Sequence, residues 1–368
     1  MEEFYIWFLL TFLSFFLILY AYLHFSKNSN TLSNIFGFGA IFCVFINILI
    51  FLPLMYQDIS LHSGILTIWI LALCLPLILI GITIIISTGL LFLLKNIFKS
   101  KHFSSFSEKM KKSITKRSKA TNDIYRKIPH ILIFIGLFIL WYIGVVNVKS
   151  LAGSTEGMIP FENNILSLYL QVLTIPNSIK NVLLSLGWFY YLLFFFFYVF
   201  CLCILANEFS RKTKNFVFPF NIFCTIFLCE EEKQEYGTYL YFAVGHMFAA
   251  FVCPPMVFFT ILGMSSIADL MTSQIGIRYG KTHICWNKNK TWEGTSAGVI
   301  ICFIISIFFI GIIWGLIVTL CFLFIDTCTN KPINLSDNLL FPLGTAIVYL
   351  LIRFFFNLNY TSIILAWI

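Results

Sequence analysis

The chain predicts an all-α, polytopic integral membrane protein with about eight to ten transmembrane helices, some broken or re-entrant. Three observations carry this. Of 368 residues, 60% are hydrophobic and only 11% charged, against about 25% charge in soluble domains. Apolar runs of 18 or more residues recur, and each is long enough to cross a hydrocarbon core of about 30 Å as a helix. The runs are too long, and alternate too little, for barrel strands. The 44 Phe and 16 Tyr suit a lipid-facing surface.

The clear spans lie at about 4–23, 35–54, 64–95, 129–146, 183–206, 239–262, 296–325 and 338–357. The first lacks a basic leader and a small-residue cleavage site, so it is read as a retained anchor. The third and seventh exceed one upright helix, so each is either strongly tilted or two segments with a break. Pro254 and Pro255 predict a helix break inside the sixth. Residues 164–175 and 216–229 suit interfacial or re-entrant pieces.

Residues 1–95 form an accessory bundle with few polar groups. Residues 96–128 form a basic loop, with Lys99, Lys101, Lys109, Lys111, Lys112, Lys116 and Arg117 among its cations. Such a loop stays on the cytosolic side and suits contact with anionic headgroups. It adjoins a span and lacks interleaved aromatics, which argues against nucleic acid. The 11 cysteines lie mostly in apolar runs with no Cys-x-x-Cys pair, as buried thiols do.

From residue 129 to 368 polar groups break the apolar runs at repeated places, and this part is read as the catalytic transmembrane domain. The segment 264–298 is the most polar. Asp269, Gly276 and Gly280 fall near one face of a helix. They read either as a carboxylate above a ligand track, or as a cap and a helix-packing stripe. Lys281, His283, Lys288 and Lys290 follow, with Thr291, Thr295 and Ser296 as hydroxyls and Gly294 permitting a tight backbone. Cations, hydroxyls and exposed amides are what phosphate oxygens take, and a helix starting at 296 would aim its first amides there. Glu293 holds Mg²⁺, orients Lys290, or caps the next helix. No P-loop pattern is present.

Other polar intrusions flank this segment. Arg126 and Lys127 read as a membrane anchor or a second phosphate contact. Pro129 suits a helix start, and His130 stands at the span boundary. Glu235 is the member of its acidic cluster nearest the membrane. His246 is expected to pack or to bond locally. Asp337 reads as an N-cap or, with Asn338, as a Mg²⁺ ligand. Asp269 and Asp337 are the minimum carboxylate set for Mg²⁺ on a nucleoside triphosphate.

These motifs resemble those of the CTP-dependent polyprenol and lipid kinase family, which includes dolichol kinase, phytol kinase and CTP-dependent diacylglycerol kinases. Phosphatidate cytidylyltransferases are a more distant likeness. The resemblance rests on Arg126-Lys127-Ile128-Pro129-His130 and on Glu235-Tyr236-Gly237-Thr238. It also rests on Ala268-Asp269, Gly276, Gly280-Lys281, the run Lys290 to Thr295, and Asp337-Asn338-Leu339 with Pro342. It covers about 120–357. Ala268 stands where glycine is common, and 283–289 is an insertion.

The resemblance implies CTP-dependent phosphorylation of a membrane-embedded lipid alcohol, with dolichol the first choice, at an endoplasmic-reticulum membrane with the site facing the cytosol. It implies Asp269 and Asp337 on Mg²⁺, Lys290 on the β/γ-phosphates, and Thr291 and Thr295 as donors. Glu293 would orient Lys290 or join the metal shell, and Asp269 or His130 would act as base. Arg126, Lys127, Glu235, Gly276, Gly280, Lys281, Gly294 and Asn338 would line the CTP site. Diacylglycerol or phytol phosphorylation, cytidylyl transfer to phosphatidate, and transport are the rival readings.

Overall fold

The computed structural model describes residues 118–152, 187–212, 237–329 and 336–367, with scattered helical positions between 76 and 93. The spans read at 4–23 and 35–54 lie outside these residues. Contacts divide the chain into two units. One holds the described residues of Lys119–Phe197 and Val244–Ile368, and the other contains Tyr198–Ala243. The fold is mostly helical, with several long apolar helices of the kind that cross a membrane.

The first helix, α1, spans Lys119–Ala152. It begins ten residues before the expected start at Pro129, so residues 119–128, read as part of the basic loop, are helical. Pro129 sits inside the helix and deprives the Tyr125 carbonyl of its usual donor. The added turns are held by polar contacts with a later helix. Ser273 donates to the Asp123 carboxylate at 2.5 Å, and Gln274 Nε2 donates to Asp123 at 2.9 Å and to the Ala120 carbonyl at 3.0 Å.

Helix α2 spans Gly187–Lys212 and α3 spans Thr238–Val252. The helix breaks at Pro254–Pro255, as the two prolines predict, and the chain reverses there. On one straight helix, residues 19 apart would stand about 28 Å apart. Instead His246 Nε2 and Ser265 Oγ lie 2.8 Å apart. After the reversal come α4 (Pro255–Gly263), a π-helical turn (Met264–Ala268) and α5 (Asp269–Tyr279). Every residue of α4 is buried. Phe259 packs edge-on against Phe134 and Phe138 of α1.

A β-hairpin follows, β1 (His283–Ile284) and β2 (Asn287–Thr291), antiparallel with an irregular register. It is a small departure from the all-α expectation. Two side chains dock it on the end of the next helix. Asn287 Nδ2 donates to the carbonyls of Thr327 and Thr329, at 3.1 and 2.5 Å, and Trp286 Nε1 donates to Thr327 at 3.1 Å.

Helix α6, Trp292–Cys328, runs for 37 residues but is not one rod. Gly311 has φ 80° and ψ 178°, and the chain folds back there. Thr319 Oγ1 lies 3.9 Å from Cys302 Sγ, where a straight helix would separate them by about 25 Å. Thr295 bonds Asp326 at 2.6 Å across the same pair of limbs. The limbs, 292–310 and 312–328, are about 28 and 25 Å long, each near the length that crosses a bilayer. The long seventh run is therefore two segments with a break. Helix α7 spans Asp337–Phe356, and α8 spans Ile363–Trp367. Phe341 of α7 stacks on Phe322 at 4.9 Å, and Tyr349 tilts on Trp314 at 5.0 Å.

Glycines set the spacing between α5 and α6. A methyl group on Gly294 would come within 2.6 Å of the Thr272 carbonyl and 2.9 Å of Gly276 Cα. Side chains at these positions would push the helices apart.

Gly311 tests the reversal. Its backbone region is essentially restricted to glycine, so Gly311→Ala should cost about 1–3 kcal/mol in strain. An added methyl would also meet the Thr361 carbonyl at 2.7 Å. Gly136→Ala, whose methyl would meet nothing within 4 Å, serves as control. Thermal unfolding in detergent should show a lower midpoint for Gly311→Ala alone. Equal midpoints would mean that the chain does not reverse there.

Candidate functional site

Lys290, Thr295, Asp326 and Asp337 gather at one end of the larger unit, where β2, both limbs of α6 and the start of α7 meet. Lys290 leaves β2 just before α6. Its ammonium lies 2.6 Å from Asp326 Oδ1 and 3.6 Å from Asp337 Oδ2. The other Asp326 oxygen accepts the Thr295 hydroxyl at 2.6 Å. Asp326 and Thr295 are both fully buried. Four elements thus converge on one cation and two carboxylates.

Burial works to lower the Lys290 pKa, but Asp326 and then Asp337 outweigh it and hold the group above the ordinary lysine value of 10.5. Lys290 is therefore an ammonium throughout the neutral range.

A second pair lies deeper. Lys127 of α1 forms an ion pair with Asp269 at the first position of α5, and both are buried. Gly276 faces Gly294, and Asp269 stands seven residues further in, about 10 Å along the axis. The π-helical turn directly before Asp269 takes up one extra residue per turn, as such turns do at functional sites. Within it Ser265 donates to the carbonyls of Ile261 and Leu262 at 3.0 and 3.2 Å. His246 bonds Ser265 and stacks on Phe197, the local bond expected of it. His130 is buried one turn beyond Lys127. Asp337 feels the charges of Lys127 and Arg126 as well as that of Lys290.

Several expected roles take a different form. Glu293 does not orient Lys290. Its carboxylate accepts the Thr282 N–H at 3.0 and 3.2 Å and so closes the turn that leaves α5, because Lys290 is already committed to Asp326. Thr291 caps α6, accepting the Gly294 N–H at 3.3 Å. Gly280 is the C-cap of α5 with extended backbone rather than a helical position, and Thr291 fills the space where its side chain would be. Gly276 and Gly294 pack the two helices. Lys281 is exposed and Arg126 half-buried.

Asp269, expected to share a metal ion with Asp337, is paired with Lys127, while Asp337 lies 3.6 Å from Lys290 and also feels Lys127. Among the described residues no three His, Cys, Asp or Glu side chains gather into a metal-binding group. Glu235 lies outside the described residues. Its neighbour Gly237, in the smaller unit, donates its N–H to the buried Glu208 carboxylate at 3.0 Å, and Tyr239 donates to the same carboxylate.

Sequence reasoning missed Asp326, Asp123 and Glu208. Asp326 closes a long apolar run, and its isolation among hydrophobic residues was the available signal, since an ionisable group at that depth needs a partner. Asn338 was found. It is 3% exposed, and its side-chain Oδ1 has no hydrogen-bond partner. Pro342, four residues on, also removes the helical donor to its carbonyl.

Replacing Lys290 tests the outer cluster. Lys290→Met leaves Asp326 buried with its charge unopposed, which should cost about 3–5 kcal/mol, and Lys290→Met/Asp326→Leu should recover much of it. Because the Lys290 pKa is raised by folding, its contribution is complete below 10.5 and fades as pH rises through the higher folded value. The difference in unfolding midpoint between wild type and Lys290→Met should therefore hold at neutral pH and shrink in strong alkali. A difference that grows in alkali would contradict the ion pair.

Comparisons with protein-family models, curated proteins and solved structures each return no match. The likeness to lipid kinases therefore rests on the motifs alone.

Proposed function

We propose that this chain is a membrane enzyme that moves the γ-phosphoryl group of CTP to the hydroxyl of a membrane-embedded lipid alcohol, dolichol being the first choice. The observation that carries the reading is the convergence of Lys290, Asp326, Thr295 and Asp337 at one polar end of an apolar bundle, beside the buried Lys127–Asp269 pair. Phosphoryl transfer is mostly positioning and neutralisation of oxygens, and these residue types suit that task. The choice of CTP and dolichol, and an endoplasmic-reticulum setting with the site facing the cytosol, come from the motif resemblance.

In this reading Lys290 exchanges part of its carboxylate contact for the β/γ-phosphates. Arg126, Lys281 and the exposed Lys288 attract the nucleotide. Asp326, Asp337 and Asn338 Oδ1 are oxygen donors of the type Mg²⁺ takes, and they would hold it. Bound there, Mg²⁺ would supply positive charge to the phosphate oxygens. The lipid oxygen forms a bond to the γ-phosphorus, and the bond from that phosphorus to the β,γ-bridging oxygen breaks. The hydroxyl proton passes to Asp269 or His130, and lipid phosphate and CDP leave.

The deeper level of Lys127 and Asp269 fits an acceptor whose tail lies in lipid and whose hydroxyl reaches inward between helices. Purified full-length protein should be assayed with labelled CTP and ATP against dolichol, diacylglycerol and phytol. Lipid phosphate plus CDP is the expected product pair, and Lys290→Ala and Asp269→Asn should each lower kcat/KM by at least about a hundredfold, as loss of a transition-state contact does. The pH profiles of Asp269→Asn and His130→Gln identify the base. CDP-lipid with pyrophosphate would establish cytidylyl transfer instead. No turnover with any nucleotide and acceptor would end the enzyme reading.

A further inference from the structure

At the other end of α7 sits a cation that the proposed chemistry does not use. Arg353 is only 7% exposed and lies sixteen residues beyond Asp337, about 24 Å along the helix. Its Nη1 donates to the Leu358 carbonyl and, at 3.0 Å, to Asn359 Oδ1. Its Nε and Nη2 are buried and have no hydrogen-bond partner. Among the described residues no carboxylate pairs with it.

The two bare atoms form one edge of the group. Nη1 lies on the Cδ side of the planar guanidinium, so the Nε–H and Nη2–H bonds run nearly parallel along the outer edge. That fork matches two oxygens of a phosphate or carboxylate. Both atoms are closed to solvent in this arrangement, so an anion reaches them only as the residues covering the edge move aside. A buried charge with no counter-charge is among the most costly arrangements in a protein.

The fork lies where α7 ends. Trp314 Nε1 donates to the Asn359 carbonyl at 3.2 Å and packs on Tyr349, and both rings are buried. Phe354, Phe355 and Phe356 beside it are exposed at 82%, 71% and 75%.

We infer that the Nε/Nη2 edge of Arg353 binds an oxyanion of the phosphate type, at the end of α7 away from the Lys290 cluster. The same chemistry is offered by a phospholipid headgroup and by free phosphate. The site needs no nucleotide and does not rest on the kinase reading.

The test uses full-length protein in neutral detergent, with the unfolding midpoint read against added phosphatidylglycerol or inorganic phosphate. Wild type should gain stability with at least one anion, and Arg353→Met should lose that gain. Arg353→Lys keeps the charge without the fork and should lose most of it, which covers the case in which Arg353→Met does not fold. Lys290→Met should keep the gain, separating this site from the outer cluster. A shift with phosphatidylglycerol alone identifies a lipid headgroup, and equal shifts identify any accessible phosphate. No shift with either anion, or a shift unchanged in both Arg353 variants, overturns the site.

Discussion

The ammonium of Lys290 lets two acidic side chains sit inside a bundle made for lipid. Asp326 has no exposed surface, and a carboxylate there without a counter-charge would be costly. Lys290 comes from β2, Thr295 from the first limb of α6, Asp326 from the second, and Asp337 from α7. One charge balance therefore registers four consecutive elements. The β-hairpin follows from it. For Lys290 to reach Asp326, the chain leaving α5 must turn back on itself, and Asn287 and Trp286 hold that turn against the end of α6.

The two chain reversals complement this arrangement. Pro254–Pro255 and Gly311 both lie at the end of the bundle away from Lys290. Backbone freed at a reversal needs cover from neighbouring protein in an apolar setting. Around Gly311 the Thr361 backbone and the Trp314–Asn359 bond supply that cover. The ionic pairs thus occupy one end, and the backbone irregularities, with Arg353, the other.

Much of the bundle could be read from the chain. Run length showed that 296–325 was too long for a single upright helix, and adjacent prolines marked the break at 254. What run length does not show is whether such a run tilts or reverses, since Gly311 is one of many glycines in apolar sequence. The polar segment 264–295 was recognisable because charge is scarce elsewhere. Its internal pairing was not. Asp269 and Asp337 looked alike as isolated carboxylates, yet one faces Lys127, 142 residues before it, and the other Lys290. Asp326 escaped notice because it closes an apolar run with no motif beside it. Glu293 misled because proximity to Lys290 in sequence suggested a contact that the start of α6 directs elsewhere.

The two ion pairs act on one another. Lys127 is paired with Asp269 and also feels the charges of Asp337 and Lys290, so whatever shifts one pair changes the balance at the other. The π-helical turn supports a role for the Lys127–Asp269 pair. A regular helix through Met264–Ala268 would turn Asp269 to another face, away from Lys127, and separate His246 from Ser265. Retaining an irregular turn in a largely buried segment makes sense if the orientation of Asp269 matters more than the regular hydrogen bonding it disrupts.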